Sequence, residues 1–170
     1  MTANTYKMKK ILILFLVISS TTFGQKKLDK LLNKWNTRNV PYISVETLAL
    51  PKTQAILLDA REQKEYKVSH LKDAICVGYD KFKLKETLAK LPKDKNAKIV
   101  VYCSLGIRSE TVAHKIIEAG YTNVYNLYGG IFEWKNANFK VVDTLGQPTE
   151  KIHTFSKDWG KWLKKGKKVY

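Results

Sequence analysis

The feature that most constrains the fold is a short segment, typical of a strand, that ends in a cysteine. Residues 98–103 read Lys-Ile-Val-Val-Tyr-Cys, and their β-branched and aromatic side chains favour a buried strand. A tight loop over residues 104–108 follows at once. The pattern then predicts a helix from Ser109 to Ala119, with Gly120 placed to end it. A strand that passes through a short loop into a helix is typical of a parallel sheet.

The rest of the chain repeats this alternation. Further strands are predicted at 42–45, 55–59, 74–77 and 124–127, and helices at 25–37, 44–50, 61–67, 84–91 and after the Gly-Gly pair 129–130. Strands that alternate with helices predict an α/β fold in three layers, with a central, mostly parallel sheet flanked by helices.

The first 24 residues have the order of a secretory signal peptide. Three lysines between positions 7 and 10 precede the unbroken apolar run 11–18, and small and polar residues fill 19–24. We expect cleavage after Gly24, from a start at Met1 or Met8, and a periplasmic or secreted location. The apolar run is too short for a comfortable membrane span.

The loop after the cysteine has the chemistry of an anion site. Ligands of an open parallel sheet bind at the carboxyl ends of its strands, and a helix N-terminus there favours negative charge. Such a site lowers the pKa of a thiol, so Cys103 is the candidate nucleophile. Gly106 gives the loop backbone freedom, Arg108 adds positive charge, and Ser109 can cap the helix or donate a hydrogen bond to sulfur.

These residues predict sulfur transfer through a covalent intermediate. The Cys103 thiolate attacks the outer sulfur of an anionic donor such as thiosulfate, a persulfide forms, and a thiophilic acceptor removes the sulfur. This chemistry needs no cofactor and no metal, and the three histidines (His70, His114, His153) are too isolated to suggest a metal site. Alone, a cysteine at the end of a core strand could also be inert. Cys76, with apolar neighbours, is predicted to be such a core cysteine.

Three segments, in order, resemble the rhodanese superfamily over about residues 42–139. The first contains Asp59-Ala60-Arg61, then Glu65-Tyr66, then His70-Leu71-Lys72-Asp73-Ala74, where the family more often has Pro and Gly near the His. The second is Tyr102-Cys103-Ser104-Leu105-Gly106-Ile107-Arg108-Ser109, and the third is Gly129-Gly130-Ile131-Phe132-Glu133-Trp134.

The resemblance implies a rhodanese-like α/β fold in which Cys103 carries the persulfide. It implies that Asp59 and Arg61 support the site from a neighbouring strand end, although Arg61 could instead form a surface salt bridge, and that His70 organises a turn. The residues expected to bind the substrate are Ser104, Leu105, Gly106, Ile107, Arg108 and Ser109.

Four regions are therefore predicted: a signal peptide (1–24), a helical extension (25–41), the rhodanese-like domain (42–139) and a basic C-terminal tail (140–170). After Glu150 the tail has seven lysines, one aspartate and two tryptophans, Trp159 and Trp162. One hypothesis for it is an amphipathic helix. It could be a solvated appendage, or it could make weak contact with an anionic membrane or partner surface.

The net charge of +16 comes from 31 Lys and Arg against 15 Asp and Glu. It indicates attraction to anions, but no nucleic-acid motif accompanies it, so no nucleic acid is expected as a partner. We expect a monomer, and its expected partners are a small sulfur-containing anion and an unknown thiol or protein acceptor.

Three alternatives stay open. The first is a phosphatase on the same fold, but those phosphatases have five residues between their Cys and Arg, whereas four separate Cys103 from Arg108. The small size of this loop argues in the same way against an arsenate reductase. A non-catalytic rhodanese-type binding module usually lacks the cysteine. A redox-sensing thiol protein would pair Cys76 with Cys103.

Overall fold

The computed structural model describes residues 26–37 and 39–170. The first helix, α1, covers residues 26–35 of the predicted helical extension. The predicted signal peptide and its cleavage site after Gly24 lie outside the described residues. Within residues 26–37 and 39–170, the helices lack the length and apolar character needed to cross a bilayer.

Five parallel strands form the central sheet, as the sequence predicts. They are β1 (Tyr42–Ile43), β2 (Ile56–Asp59), β3 (Ile75–Cys76), β4 (Ile99–Tyr102) and β5 (Val124–Leu127). Their order is β1-β5-β4-β2-β3, so β4 is the middle strand, and all four of its residues are buried. Tyr102 lies opposite Asp59 of β2, which brings the carboxyl ends of these two strands to the same edge of the sheet.

The helices between these strands start close to the predicted positions. They are α2 (Val45–Ala49), α3 (Gln63–Val68), α4 (Leu84–Leu88), α5 (Arg108–Glu118) and α6 (Gly130–Asn136). The Ser44 hydroxyl caps α2 by accepting a hydrogen bond from the Thr47 N–H at 3.1 Å. Helix α5 begins at Arg108, one residue before the predicted start, so Ser109 lies inside the helix rather than at its cap.

The apolar core between α5 and the sheet fixes the position of the cysteine loop. Its central side chains are at most 1% exposed: Leu58, Ala60, Ile99, Val101, Val112, Ala113 and Ile116. Burying each large aliphatic side chain contributes about 2 kcal/mol. Because β4 and α5 are both anchored in this way, the loop that joins them is held at both ends.

The C-terminal region is a folded part of the domain and not one amphipathic helix. It contains the antiparallel pair β6 (Val141–Val142) and β7 (Pro148–Thr149), and then β8 (Lys151–His153), the short helix α7 (Lys157–Gly160) and β9 (Lys167–Val169), which runs parallel to β8. The helix hypothesis for residues 150–170 was therefore wrong. Ser156 starts α7 by capping it, and Gly166, at φ = 94°, adopts a left-handed conformation that a helix does not contain.

Candidate active site

Cys103 lies at the floor of a pocket at the carboxyl edge of the sheet. It is the first residue after β4, and only 2% of it is exposed. Its side chain nevertheless lines a cavity of about 190 Å³, together with four other residues of the loop and first turn of α5 and two aromatic side chains from the C-terminal region. The thiol is therefore screened from bulk water but open to a small ligand.

The thiol is surrounded by groups that stabilise its charged form. The Gly106 N–H donates a hydrogen bond to the Cys103 Sγ at 3.1 Å. Burial acts to raise the pKa of Cys103, but the charge of Arg108 and hydrogen bonds from the backbone N–H groups of Ser109 and Gly106 lower it. The net effect places the pKa of Cys103 below its ordinary value of 9.0, so the thiolate forms more readily than in a free cysteine.

Gly106 and the buried Asn126 fix the shape of the loop. Gly106 has φ = 102°, and a Cβ added there would lie 3.2 Å from the Leu127 carbonyl oxygen. Asn126 of β5 donates its Nδ2–H to the Gly106 carbonyl oxygen at 2.8 Å and accepts the Ser109 hydroxyl at 2.7 Å. The Asn126 side chain thus links the loop to α5, and it does so at Gly106, whose N–H donates to the Cys103 sulfur.

Arg108 is held by a carboxylate from α3. Its guanidinium donates to the two Glu65 oxygens at 2.7 and 2.8 Å, and the Ser104 hydroxyl donates to Glu65 at 3.3 Å. Glu65 is fully buried and the Arg108 side chain is 17% exposed. Burial acts to raise the pKa of Glu65, but the hydrogen bonds and charge of Arg108, with smaller contributions from Arg61 and the Glu62 N–H, outweigh it, and the pKa falls below its ordinary value.

Asp59 and Arg61 form a second ion pair, within the protein interior. Both are 0% exposed, and the Arg61 Nη2 donates to Asp59 at 2.6 Å and to the Ser69 carbonyl oxygen at 2.6 Å. This pair is buried, so the surface salt bridge considered for Arg61 is wrong. His70 exchanges backbone hydrogen bonds with Val142 in an isolated antiparallel β-bridge, just before the turn at residues 72–73, and it does not line the pocket.

Helix α6 closes the other side of the loop. The N–H groups of Ile131 and Phe132 donate to the carbonyl oxygens of Cys103 and Ser104, at 2.9 and 3.2 Å. Gly130 makes this approach possible, because a Cβ at that position would overlap the Cys103 carbonyl oxygen. The loop is thus fixed from below by β5, from one side by α3 and from another by α6.

The sequence matches the family model of the Rhodanese-like domain over residues 45–137. The chain belongs to the rhodanese-like domain family. This confirms the resemblance found in the three motif segments.

Solved structures of rhodanese-like proteins share the fold. A rhodanese-related protein from Thermoplasma volcanium is 25% identical, with a TM-score of 0.52 over 60% of this chain and 97% of that chain. A thiosulfate sulfurtransferase from Pseudomonas aeruginosa is 26% identical, with a TM-score of 0.55 over 74% of this chain and 24% of that chain. These likenesses and the central, mostly parallel sheet of this chain confirm the expected rhodanese-like α/β fold.

Among curated relatives, a protein named tRNA uridine(34) hydroxylase from Hamiltonella defensa is 40% identical over 82 residues. The protein of the same name from Erwinia tasmaniensis is 39% identical over 83 residues. These matches cover 47% and 48% of this chain but only 23% and 24% of the relatives. The chain therefore spans about a quarter of the length of these relatives.

Cys76 lies outside the rhodanese pocket. It is on the edge strand β3, where burial first and the charge of Asp59 second raise its pKa to about 11. Strand β2 lies between it and β4, since Cys76 and Tyr102 both pair with Asp59. Two strand spacings separate the cysteine backbones by roughly 10 Å, whereas a disulfide requires Cα atoms within about 7 Å.

Several residues at this site were not among the residues predicted from the sequence. Glu65 appeared in the motif but was assigned no role, and Asn126 looked like one polar residue in a strand. Phe155 and Trp159, which form one wall of the pocket, belong to the region predicted as a tail. Two signals could have indicated these residues. An Arg in a buried loop needs an acidic partner, which points to Glu65, and a buried Asn within an apolar strand needs hydrogen-bond partners, which points to Asn126.

Proposed function

We propose that this protein is a sulfurtransferase that carries sulfane sulfur as a persulfide on Cys103. The observation that supports this most directly is the 3.1 Å hydrogen bond from the Gly106 N–H to the Cys103 sulfur, at the floor of an open pocket. A thiol with a lowered pKa, a donor aimed at its sulfur and room for a ligand above it are the requirements of a sulfur carrier.

The proposed reaction has two half-reactions. In the first, the Cys103 thiolate attacks the outer sulfur of thiosulfate, the bond between the two sulfur atoms of thiosulfate breaks, and sulfite leaves with the bonding electrons. In the second, an acceptor such as cyanide attacks the terminal sulfur of the persulfide, thiocyanate leaves, and the thiolate is restored. Charge is conserved in each step, and neither step changes the number of protons.

The surrounding residues have distinct roles in this proposal. The N–H groups of Gly106 and Ser109 stabilise negative charge on the cysteine sulfur and on the persulfide. Arg108 supplies positive charge near the sulfur, and Glu65 fixes the orientation of its guanidinium. Asp59 and Arg61 support the strand end without reaching the reacting atoms.

The comparisons support this proposal at the level of the family. The Pseudomonas aeruginosa neighbour is named a thiosulfate sulfurtransferase, and its fold aligns with this chain. The tRNA uridine(34) hydroxylases also match, but this chain spans about a quarter of their length. The named reaction of those longer proteins is therefore not assigned to this chain.

The decisive assay uses thiosulfate and cyanide with the purified protein. Thiocyanate should form, Cys103→Ser should abolish its formation, and Cys76→Ser should retain most of it, since Cys76 lies on another strand. Intact mass after exposure to thiosulfate should increase by one sulfur atom in the native protein and not in Cys103→Ser. Full activity in Cys103→Ser would overturn the proposal.

The same measurements separate the alternatives. A binding module would form no thiocyanate and take up no sulfur. A redox-sensing pair would resist thiol labelling at both cysteines after oxidation. The four residues between Cys103 and Arg108, against five in the phosphatases, argue against phosphate transfer, and a phosphatase assay with an aryl phosphate should detect no turnover.

We also propose that the protein is exported, which rests on the N-terminal pattern of the sequence. Expression of the full chain in a bacterial host should give a periplasmic or secreted product whose first residue is Gln25. A cytoplasmic product that retains residues 1–24 would contradict export and leave the sulfurtransferase proposal untouched.

A further inference from the structure

We propose that the C-terminal segment, residues 151–170, completes the active site, and that its Phe155 and Trp159 select a sulfur donor that carries a small apolar organic group. The inference rests on the proposed sulfurtransferase function and names the substrate class of that site. Both aromatic side chains line the pocket of Cys103. Both lie outside residues 45–137, over which the family model matches.

The C-terminal segment is fixed to the elements that carry the active site. Strand β8 packs against α3, the helix of Glu65. Glu150, just before β8, accepts a hydrogen bond from Lys135 of α6 at 2.6 Å. Farther along, the Asn136 side-chain oxygen accepts the backbone N–H groups of Lys164 and Lys165, at 2.7 and 3.2 Å. These contacts hold the aromatic residues in a defined position relative to the loop.

Phe155 is placed in a way that folding alone does not explain. Its φ is 64°, in the left-handed region that a bulky residue rarely adopts. The side chain remains 51% exposed, so this unfavourable backbone does not serve to bury it in the core. Its N–H donates to the His153 Nδ1 at 3.0 Å, which fixes the turn. Strained residues of this kind cluster at functional sites, and Phe155 faces the pocket.

The ring of Phe155 also lies over the cation of the site. The Arg108 guanidinium carbon is 5.2 Å from the ring centroid, within the range of a cation–π contact. Trp159, from the capped helix α7, lines the same pocket. The aromatic wall and the cysteine loop therefore meet at Arg108.

The polar groups at the pocket wall are already engaged. Arg108 donates to both oxygens of Glu65, and the Ser104 hydroxyl donates to the same carboxylate. The charge of Arg108 is thus compensated by Glu65. The remaining wall is apolar and is formed by Leu105, Ile107, Phe155 and Trp159.

This wall suits an organic thiosulfonate better than it suits thiosulfate. A dianion loses much hydration in an apolar pocket whose arginine is already paired. In an organic thiosulfonate, one anionic oxygen is replaced by a carbon group, which can lie against the aromatic rings. The Cys103 thiolate attacks the terminal sulfur, the sulfur–sulfur bond breaks, and an organic sulfinate leaves with the electron pair, so charge and atoms balance.

The test measures kcat/KM for benzenethiosulfonate and for thiosulfate, with cyanide as the acceptor. The native protein should prefer benzenethiosulfonate by at least about tenfold, and Trp159→Ala should reduce this preference about tenfold, the scale of one aromatic contact. Trp159→Phe should restore most of it. Leu145→Ala, at a residue 82% exposed in the turn between β6 and β7, is the matched control and should leave both values unchanged.

The Phe155→Gly variant shows whether a change in donor preference arises from loss of the ring or from unfolding of the segment. Glycine adopts φ = 64° without strain, and this gain opposes the loss of the ring contacts, so the variant should melt close to the native protein yet lose the preference for the aromatic donor. Equal kcat/KM for the two donors in the native protein, or an unchanged preference in Phe155→Gly and Trp159→Ala, would overturn this inference alone. Absence of turnover with every donor would overturn the sulfurtransferase proposal.

Discussion

Glu65 and Arg108 lie 43 residues apart in the sequence and form a two-point ion pair, with nitrogen–oxygen distances of 2.7 and 2.8 Å. The carboxylate comes from α3 and the guanidinium from the first residue of α5, so the pair joins two elements on which the cysteine loop depends. The Glu65 side chain is fully buried and the Arg108 side chain is 17% exposed, so the loss of either charge leaves the other without its partner and with little water to solvate it.

Glu65→Gln should therefore destabilise the protein at neutral pH by about 3 kcal/mol, the scale for breaking a buried ion pair. The pKa of Glu65 in the folded state lies below its ordinary value of 4.5. Its stabilising contribution is thus fully present above about pH 4.5 and disappears as the pH falls through the folded-state pKa. Urea unfolding at several pH values should show a constant difference between native protein and variant from pH 7 to 5, and a shrinking difference below.

The matched control for that measurement is Glu86→Gln. Glu86 forms a surface pair with Lys83, and both side chains are about two-thirds exposed, 65% and 68%. Such a pair contributes little, so the free energy of unfolding should not change within error. If Glu65→Gln and Glu86→Gln behaved alike, the buried pair would have no structural role.

The sheet and the cysteine loop could be predicted from the sequence because their signals are local. A buried parallel strand is a continuous apolar run, and residues 99–102 are such a run with a cysteine directly after it. The motif segments place Asp59 and Gly106 by the same kind of short-range pattern. Local patterns of this type fix which residues end a strand and therefore which residues share the edge of the sheet.

The partners of these residues could not be predicted because they are distant in sequence. No local pattern states that Glu65 meets Arg108, or that Asn126 bridges Gly106 and Ser109. The fold of the C-terminal segment could not be predicted for a different reason. Its two strands are three residues long and pair with each other, and all three of their lysines are exposed, so no periodic apolar pattern marks the segment.

The lowered pKa of Cys103 predicts selective alkylation. With iodoacetamide, the rate at Cys103 should rise with pH to a midpoint below 9.0, since the thiolate is the reactive form. Cys76, with a pKa of about 11, should react slowly over this range. Peptide mass spectrometry across a pH series measures alkylation of both cysteines in one sample. Equal midpoints for Cys103 and Cys76 would contradict a lowered pKa at Cys103.

The charge of Arg108 should account for part of this lowered pKa. The double variant Glu65→Gln, Arg108→Met removes both charges of the pair, so no uncompensated charge stays buried. Because Arg108 is the largest of the influences that lower the pKa of Cys103, the alkylation midpoint should move to higher pH. A midpoint that stays in place would assign the lowering to the hydrogen bonds of Gly106 and Ser109 alone.

Gly106→Ala should reduce activity as well as stability. At φ = 102° an alanine is strained, and its Cβ would press on the Leu127 carbonyl oxygen at 3.2 Å, which moves the N–H away from the sulfur. We expect a loss of about 1–3 kcal/mol in stability and at least a tenfold loss of kcat/KM, as for removal of one donor to a charged centre. Thermal unfolding and the thiocyanate assay measure the two effects.

Gly120→Ala provides the comparison for Gly106→Ala. Gly120 has a similar φ of 93°, and no atom lies within 4 Å of the added Cβ. It ends α5 far from the sulfur, so its variant should lose stability through backbone strain alone and keep its kcat/KM. Equal activity losses in the two alanine variants would show that strain alone, and not the position of the Gly106 N–H, determines the rate.

Asn126→Asp should disturb the thiolate through a single atom. The ionised aspartate can still accept the Ser109 hydroxyl, but it cannot donate to the Gly106 carbonyl oxygen, which the amide does at 2.8 Å. It also adds negative charge beside the loop and so raises the pKa of Cys103. A protonated aspartate at this position would instead keep one donor, but with a single O–H in place of the planar amide. We expect kcat/KM to fall at least tenfold, and the alkylation midpoint to move to higher pH in the ionised case. Asn123→Asp repeats the change at a half-buried residue that donates to the Asn96 carbonyl oxygen and does not line the pocket, so its midpoint and activity should stay native. An Asn126→Asp variant with native activity would mean that β5 does not position the loop.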